Sequence, residues 1–308
     1  MTHFMARILL FFCPLIVVLG GWSGYVYWGE LKLYERGMAL PQDARIVVMG
    51  DSEAAYAFDP SEIKGLVNLS AQGMSLDQQL YRFRDLIRLN GDILTNATVV
   101  LAISPARFAA PLGPMRVNAF EGRYVFLNLE HLLDAVRKLD APFLLWRDRE
   151  LVARTHVVSR TWRKTRKNKP PTSECVGGHV RWDRCGFTED RTRAEEKCSR
   201  YAAVISDSFA KGAGADAERV LGKLLGLARK NGVRVALATT PYHEKVRAAL
   251  PRHVKDGFAS GMRRLAHGWD VRWLDWLAME LPDEAFLDGT HVNALGGKML
   301  GKALRDAL

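Results

Sequence analysis

Five short apolar runs recur along the chain, and between them the apolar residues return at helical spacing. The first run, Ile46-Val-Val-Met49, reads as a buried strand. Gly65-Leu-Val-Asn-Leu-Ser70 reads as a second strand. Ala97-Thr-Val-Val-Leu-Ala-Ile103 is apolar enough to be central in a parallel sheet. Val233–Thr239 and Asp270–Leu274 are the fourth and fifth. Leu76, Leu80, Phe83 and Ile87 share one face of a predicted helix over 76–89. Val220, Leu224, Leu227 and Ala228 do the same over 216–231, with Gly232 as a C-terminal stop. Residues 242–266 read as largely helical, and 294–308 close the chain as a helix. Strands alternating with helices predict an α/β fold: a doubly wound, flavodoxin-like, mostly parallel sheet.

Two stretches break this rhythm. Ile8–Trp28 carries no charge over 21 residues, enough to cross a bilayer as a helix. Trp22, Tyr25, Tyr27 and Trp28 cluster at its end like an interfacial aromatic belt. A cleaved signal peptide is the rival reading. The small-x-small cleavage pattern is poor and the apolar run long, so an uncleaved anchor over residues 1–30 is expected. Arg7 before the span and Lys32 and Arg36 after it leave its orientation open on charge alone. Residues 30–43 read as a short polar stalk, helical and ending near Pro41.

The second break is an irregular insert at about 105–212, within a domain spanning 31–308. Helices are expected within 129–154. From 141 to 200 the chain holds 15 Lys and Arg against 8 Asp and Glu, so most of the formal charge of +10 lies there. The run Arg163–Pro171 is either a solvated loop or a surface for anionic lipid headgroups or an anionic polymer. No nucleic-acid-binding module surrounds these charges. Of Cys175, Cys185 and Cys198, two can pair in an oxidising compartment, leaving one free or paired between chains; Cys13 lies in the anchor. His179 lies among them, but without Cys-x-x-Cys spacing no metal is expected. No Gly-rich phosphate loop is present, so no cofactor is expected either.

The chemistry sits at the two ends of the α/β pattern. Gly50-Asp-Ser52 follows the first strand, where open α/β sheets place ligands. Asp288-Gly-Thr-His291 precedes the last helix. Each motif alone is common. Together they supply a nucleophile, a base and a carboxylate to orient the base: Ser52, His291 and Asp288. Asp51 reads as structural, accepting turn amides. Asn293 reads as a helix cap. Glu53 reads as an exposed first-turn residue. His243 reads either as a helix N-terminal residue or as a group lining the cleft.

These blocks resemble the SGNH, or GDSL-type, hydrolases. The resemblance covers about residues 45–110 and 215–308 and implies their three-layer sandwich. It makes Ser52 the nucleophile, His291 the general base and Asp288 its orienter. It also implies that the amides of Ser52 and Gly73 hold the oxyanion. The family's third block has Gly-x-Asn, but this chain reads Ala102-Ile-Ser-Pro-Ala-Arg107. Ser104 or Arg107 is the candidate replacement, with Arg107 and His243 as candidate substrate contacts.

The chain looks similar to the membrane-anchored branch that O-acetylates exopolysaccharides or transfers D-alanine to teichoic acids. That resemblance implies a single-pass protein of the bacterial inner membrane with its domain outside the cytoplasm. It implies an anionic or acylated envelope polysaccharide as substrate and a membrane-bound O-acyltransferase as partner. The alternatives are a non-catalytic envelope assembly or polymer-binding protein, favoured by the missing asparagine, and a purely hydrolytic lipase or esterase.

Overall fold

The computed structural model describes residues 21, 28, 32, 34–109, 191–210 and 213–308. The rest of the uncharged span, Cys13, the helices expected within 129–154, the basic loop at 163–171, Cys175, His179 and Cys185 lie outside the described residues. No described helix is long and apolar enough to cross a membrane.

Five parallel strands form one sheet: β1 (Ile46–Met49), β2 (Leu66–Asn68), β3 (Thr98–Ala102), β4 (Arg234–Thr239) and β5 (Arg272–Asp275). Their order is β2-β1-β3-β4-β5. That is the doubly wound flavodoxin-like order, in which the chain switches direction between β1 and β3 and opens a crevice at the strands' carboxyl ends. The register aligns Met49 with Leu101 and Ala102 with Ala238.

Alternate residues of each strand feed opposite faces, because side chains have a period of two. Val47, Met49, Val99 and Leu101 pack under α2 (Leu76–Leu94), α5 (Ala213–Lys230) and α7 (Arg252–Trp269), whose core residues include Phe83, Leu224 and Met262. Val48, Val100 and Ala238 face the other layer. There lie α1 (Ser52–Ala57), α4 (Arg191–Ala210), α6 (Glu244–Ala249) and α8 (Ala294–Ala307). A short helix, α3 (Pro105–Ala109), follows β3.

Four segments depart from expectation. Residues 34–38 are helical, yet Tyr34, Met38 and Leu40 are core residues and not part of a polar stalk. They are tied to α2 by Asn90, whose Oδ1 accepts the Leu40 amide at 2.8 Å and whose Nδ2 donates to the Met38 carbonyl at 2.9 Å. Asn90 itself has non-helical backbone angles, so this contact coincides with a kink in α2. The stretch 242–266 is two helices, because Pro251 cannot continue α6 and instead starts α7. Both described ends of the irregular insert are regular: α3 at its start, and α4 at its end, which buries Cys198, Ala202 and Ile205 in the core.

Candidate active site

β1 leads into the turn that carries Ser52. Gly50 turns the chain at a point where a Cβ would lie 2.6 Å from the Ala54 Cβ and 3.0 Å from the Ala102 carbonyl oxygen. Only glycine fits between the end of β3 and the first turn of α1. Asp51 caps that helix, its Oδ1 accepting the Glu53 amide at 3.0 Å. Its Oδ2 accepts Arg107 Nε at 2.6 Å. Ser52 is thereby fixed as the first residue of α1.

His291 lies on the loop before α8. Phe286 and Val292 form an isolated antiparallel bridge, and the Leu287 amide donates to the His291 carbonyl at 2.9 Å. Asp288 Oδ1 accepts the amides of Thr290 and His291, both at 2.9 Å. Asn293 caps α8 by accepting from Leu295 and Gly296, as its sequence position suggested. Gly289 lets the loop touch α4: a Cβ there would lie 2.6 Å from Cys198 Sγ. Cys198 is a buried free thiol, pushed up to about 11, with burial the largest cause and the Asp288 charge adding to it.

The two parts meet across 239 residues of sequence. His291 Nε2 lies 2.8 Å from Ser52 Oγ. His291 Nδ1 lies 3.0 Å from each Asp288 oxygen. The partners select the tautomer: Nδ1–H donates to the carboxylate, and Nε2 accepts from the serine hydroxyl. The Tyr56 ring stands edge-on to the imidazole at 5.0 Å.

The electrostatics match this arrangement. Burial pushes Asp288 up, but the hydrogen bond and charge of His291 and the two amides outweigh it and hold the carboxyl at about 2. Burial pulls His291 down, and the Asp288 hydrogen bond and charge, with smaller help from Glu53 and Asp51, raise it above the ordinary histidine value. The imidazole is thus a stronger base than a free one.

Gly73 has a φ of +69°, a left-handed conformation suited to glycine, in a turn closed by the Met74 amide on the Ala71 carbonyl. The Ala71 amide donates to the Gly50 carbonyl at 3.1 Å, which docks this turn against the turn that carries Ser52. The backbone amides of Ser52 and Gly73 have no hydrogen-bond partner among the described residues. Ser104 is 2 % exposed, and its Oγ accepts the Arg107 amide at 3.2 Å, so this hydroxyl caps α3. Arg107 is pulled down by burial and raised more strongly by Asp51. Nε is its contact with Asp51, and its two Nη groups have no hydrogen-bond partner among the described residues.

His243 takes the capping position on α6. Its Nδ1 accepts the Lys245 amide at 3.2 Å, and its Nε2 lies 2.8 Å from Asp283 Oδ1. Glu53 is not the exposed first-turn residue that its position suggests. It is 2 % exposed and its carboxyl takes hydroxyls from Tyr201, Tyr242 and Thr240, each at 3.1 Å. No group of His, Cys, Asp and Glu among the described residues is arranged to hold a metal.

No protein-family model and no curated protein matches the chain. Two solved structures resemble it at 14% identity. One is a proposed acylhydrolase from Bacteroides fragilis, with a TM-score of 0.43 over 89% of this chain and 92% of that one. The other is a GDSL-like lipase from Bacteroides thetaiotaomicron, with a TM-score of 0.41 over 89% of this chain and 95% of that one. At this similarity neither bears on what the present chain does.

Proposed function

We propose that this protein is an SGNH-like serine esterase or O-acyltransferase working through an acyl-serine intermediate. The observation that carries the reading is the unbroken relay from Ser52 Oγ through His291 to Asp288. Ser52 attacks the acyl carbonyl carbon while its proton passes to His291 Nε2. The tetrahedral oxyanion is held by the amides of Ser52 and Gly73, each such donor contributing on the order of 3 kcal/mol. Asp288 stabilises the imidazolium. Its Nε2–H then goes to the leaving alkoxide, and the acyl group stays on Ser52. A water or sugar hydroxyl gives its proton to His291 and attacks the acyl-serine, which restores the Ser52 hydroxyl.

The proposed acyl group is acetyl or D-alanyl, and the acceptor is an anionic or acylated envelope polysaccharide. Arg107, whose two Nη groups have no hydrogen-bond partner among the described residues, lies next to the turn of Ser52 and suits an anionic neighbour of the ester. The uncharged stretch at 8–28 supports a single span in the bacterial inner membrane with the domain outside the cytoplasm. A membrane-bound O-acyltransferase would then supply the acyl group. A second reading, a non-catalytic polymer-binding or assembly protein, is favoured by Ser104, whose hydroxyl caps α3 at the place where the family has asparagine.

Cleavage of an aryl acetate by the full chain, beside Ser52→Ala and His291→Ala, separates the two. Cleavage lost in both variants supports the catalytic reading. A folded wild type that cleaves no ester, alone or with membranes containing its acyltransferase, overturns it.

A further inference from the structure

The proposed reaction needs Ser52 and His291 in contact, yet each is carried by its own short turn, 239 residues apart in sequence. α1 and α8 pack directly, where Gly297 lies against the Tyr56 carbonyl. α4, the last helix of the insert, supplies a second link. Glu195, Cys198, Tyr201 and Ile205 are spaced three and four apart and share one face of it. Tyr201 reaches the turn of Ser52: its hydroxyl donates to Glu53 Oε1 at 3.1 Å, and Glu53 directly follows Ser52. The Tyr201 ring stands edge-on to Tyr242, whose hydroxyl donates to the same oxygen at 3.1 Å. Cys198, one turn earlier, reaches the loop of His291. A Cβ at Gly289 would lie 2.6 Å from Cys198 Sγ and 2.5 Å from Val246 Cγ2 of α6. The Gly289 carbonyl also accepts the His243 amide at 2.9 Å. Gly289 is thus seated between α4 and α6, which Glu195 and Lys245 join at 3.5 Å.

We propose that α4 is a positioning element of this site: Tyr201 holds the turn of Ser52 and Cys198 seats the loop of His291, so that the insert's last helix sets the approach of the imidazole to the serine. This rests on the serine-esterase reading above.

Both contacts act on rigid turns, so each is passed on to the reacting atom. The Glu53 amide donates to Asp51 Oδ1 at 3.0 Å, which closes the backbone around Ser52; a pull on the Glu53 side chain moves that whole turn. Asp288 Oδ1 accepts the amides of Thr290 and His291, both at 2.9 Å, so residues 288–291 move as one body and a shift of Gly289 is a shift of the imidazole. Gly289 has no side chain, and that lets the loop lie directly on Cys198. Misplacing a reacting group by about 1 Å can cost a rate about 100-fold. Tyr201 and Cys198 act through Glu53 and Gly289 and not on the ester. Their loss therefore falls on kcat and not on KM.

The test uses the full chain and an aryl acetate, with kcat and KM measured well below the Tm of each variant. Tyr201→Phe removes only the hydroxyl link, and kcat is expected to fall about 5-fold with KM unchanged. Gly289→Ala pushes the loop off α4 and α6, and kcat is expected to fall about 100-fold. Cys198→Ala and Val246→Ala vacate the space the new methyl group needs. Adding both to Gly289→Ala is expected to recover about 10-fold of the loss. A packing role alone predicts the reverse: the triple variant, with two more buried side chains cut back, is then less stable and no more active. An unchanged kcat in folded Tyr201→Phe, or no recovery in the triple variant, overturns the proposal. If the wild type cleaves no ester, the esterase reading fails by itself, and hydrogen exchange over residues 286–293 decides the positioning. Faster exchange there in Tyr201→Phe than in the wild type supports it, and unchanged exchange overturns it.

Discussion

Two carboxyls stand in the field of one imidazole and titrate in opposite directions. Asp288 receives N–H donors: the His291 ring, which can be a cation, and two backbone amides. It is held at about 2, burial being overcome by those donors. Glu53 receives neutral hydroxyls and lies near the Asp51 charge. Burial and that charge take it up to about 8. Residue type does not decide which of the two is the permanent anion. The surroundings decide it: the N–H donors and charge at Asp288 outweigh its burial, whereas at Glu53 burial and the Asp51 charge outweigh the hydroxyl donors.

The comparison can be broken most forcefully at Asp288. Asp288→Asn removes the anion that orients and stabilises His291, and kcat/KM is expected to fall about 10^4-fold. Glu53→Gln is expected to lose less than about 10-fold at its own optimum, since the relay itself stays intact. Equal losses in steady-state kinetics would mean that the two carboxyls are not different in kind.

Glu53→Ala is a stability experiment. It strands three hydroxyls, two of them on the buried Tyr242 and Thr240, and is expected to destabilise the fold by about 1–3 kcal/mol in denaturant unfolding. Glu53→Gln should cost clearly less. A benign Ala would show that the cage rearranges around the gap.

The smallest effects are in the pH dependence of stability, where the two carboxyls carry opposite signs. Asp288 has a depressed value in the folded state, so its stabilisation is present above its ordinary value of 3.8 and is lost as pH falls through about 2. Glu53 has a raised value, so its favourable contribution is present below 4.5 and is lost as pH rises through about 8. Asp288→Asn should therefore flatten the acid side of a Tm-against-pH curve, and Glu53→Gln the alkaline side. Flattening on the same side in both variants would contradict the assignment.

What the sequence made legible follows from the range of the interactions. All five strands lie within two residues of their expected positions, because short apolar runs report burial locally. Ser52, Asp288 and His291 were legible because each motif builds its own turn: Asp51 caps the first, and Asp288 binds amides two and three residues on. Pro251 marks the break between α6 and α7, a local signal that the apolar spacing across 242–266 hides. Cys198, Ala202, Ile205 and Phe209 recur at helical spacing, a signal of α4 that the charges and prolines of the surrounding stretch, read as irregular, outweigh. Glu53 was not legible in this way. Its burial comes from Tyr201 and Tyr242, 148 and 189 residues away, and nothing in its own turn records them. The pairing of Arg107 with Asp51 spans 56 residues and is hidden for the same reason.

The most direct test of the central claim is covalent. The full chain is treated with a fluorophosphonate, and the modified residue is located by peptide mass spectrometry, beside His291→Ala. One phosphonyl adduct on Ser52, formed slowly or not at all without His291, is the expected result. Labelling at another residue, or labelling of Ser52 that is as fast in His291→Ala as in the wild type, would contradict the activation of this serine by this histidine.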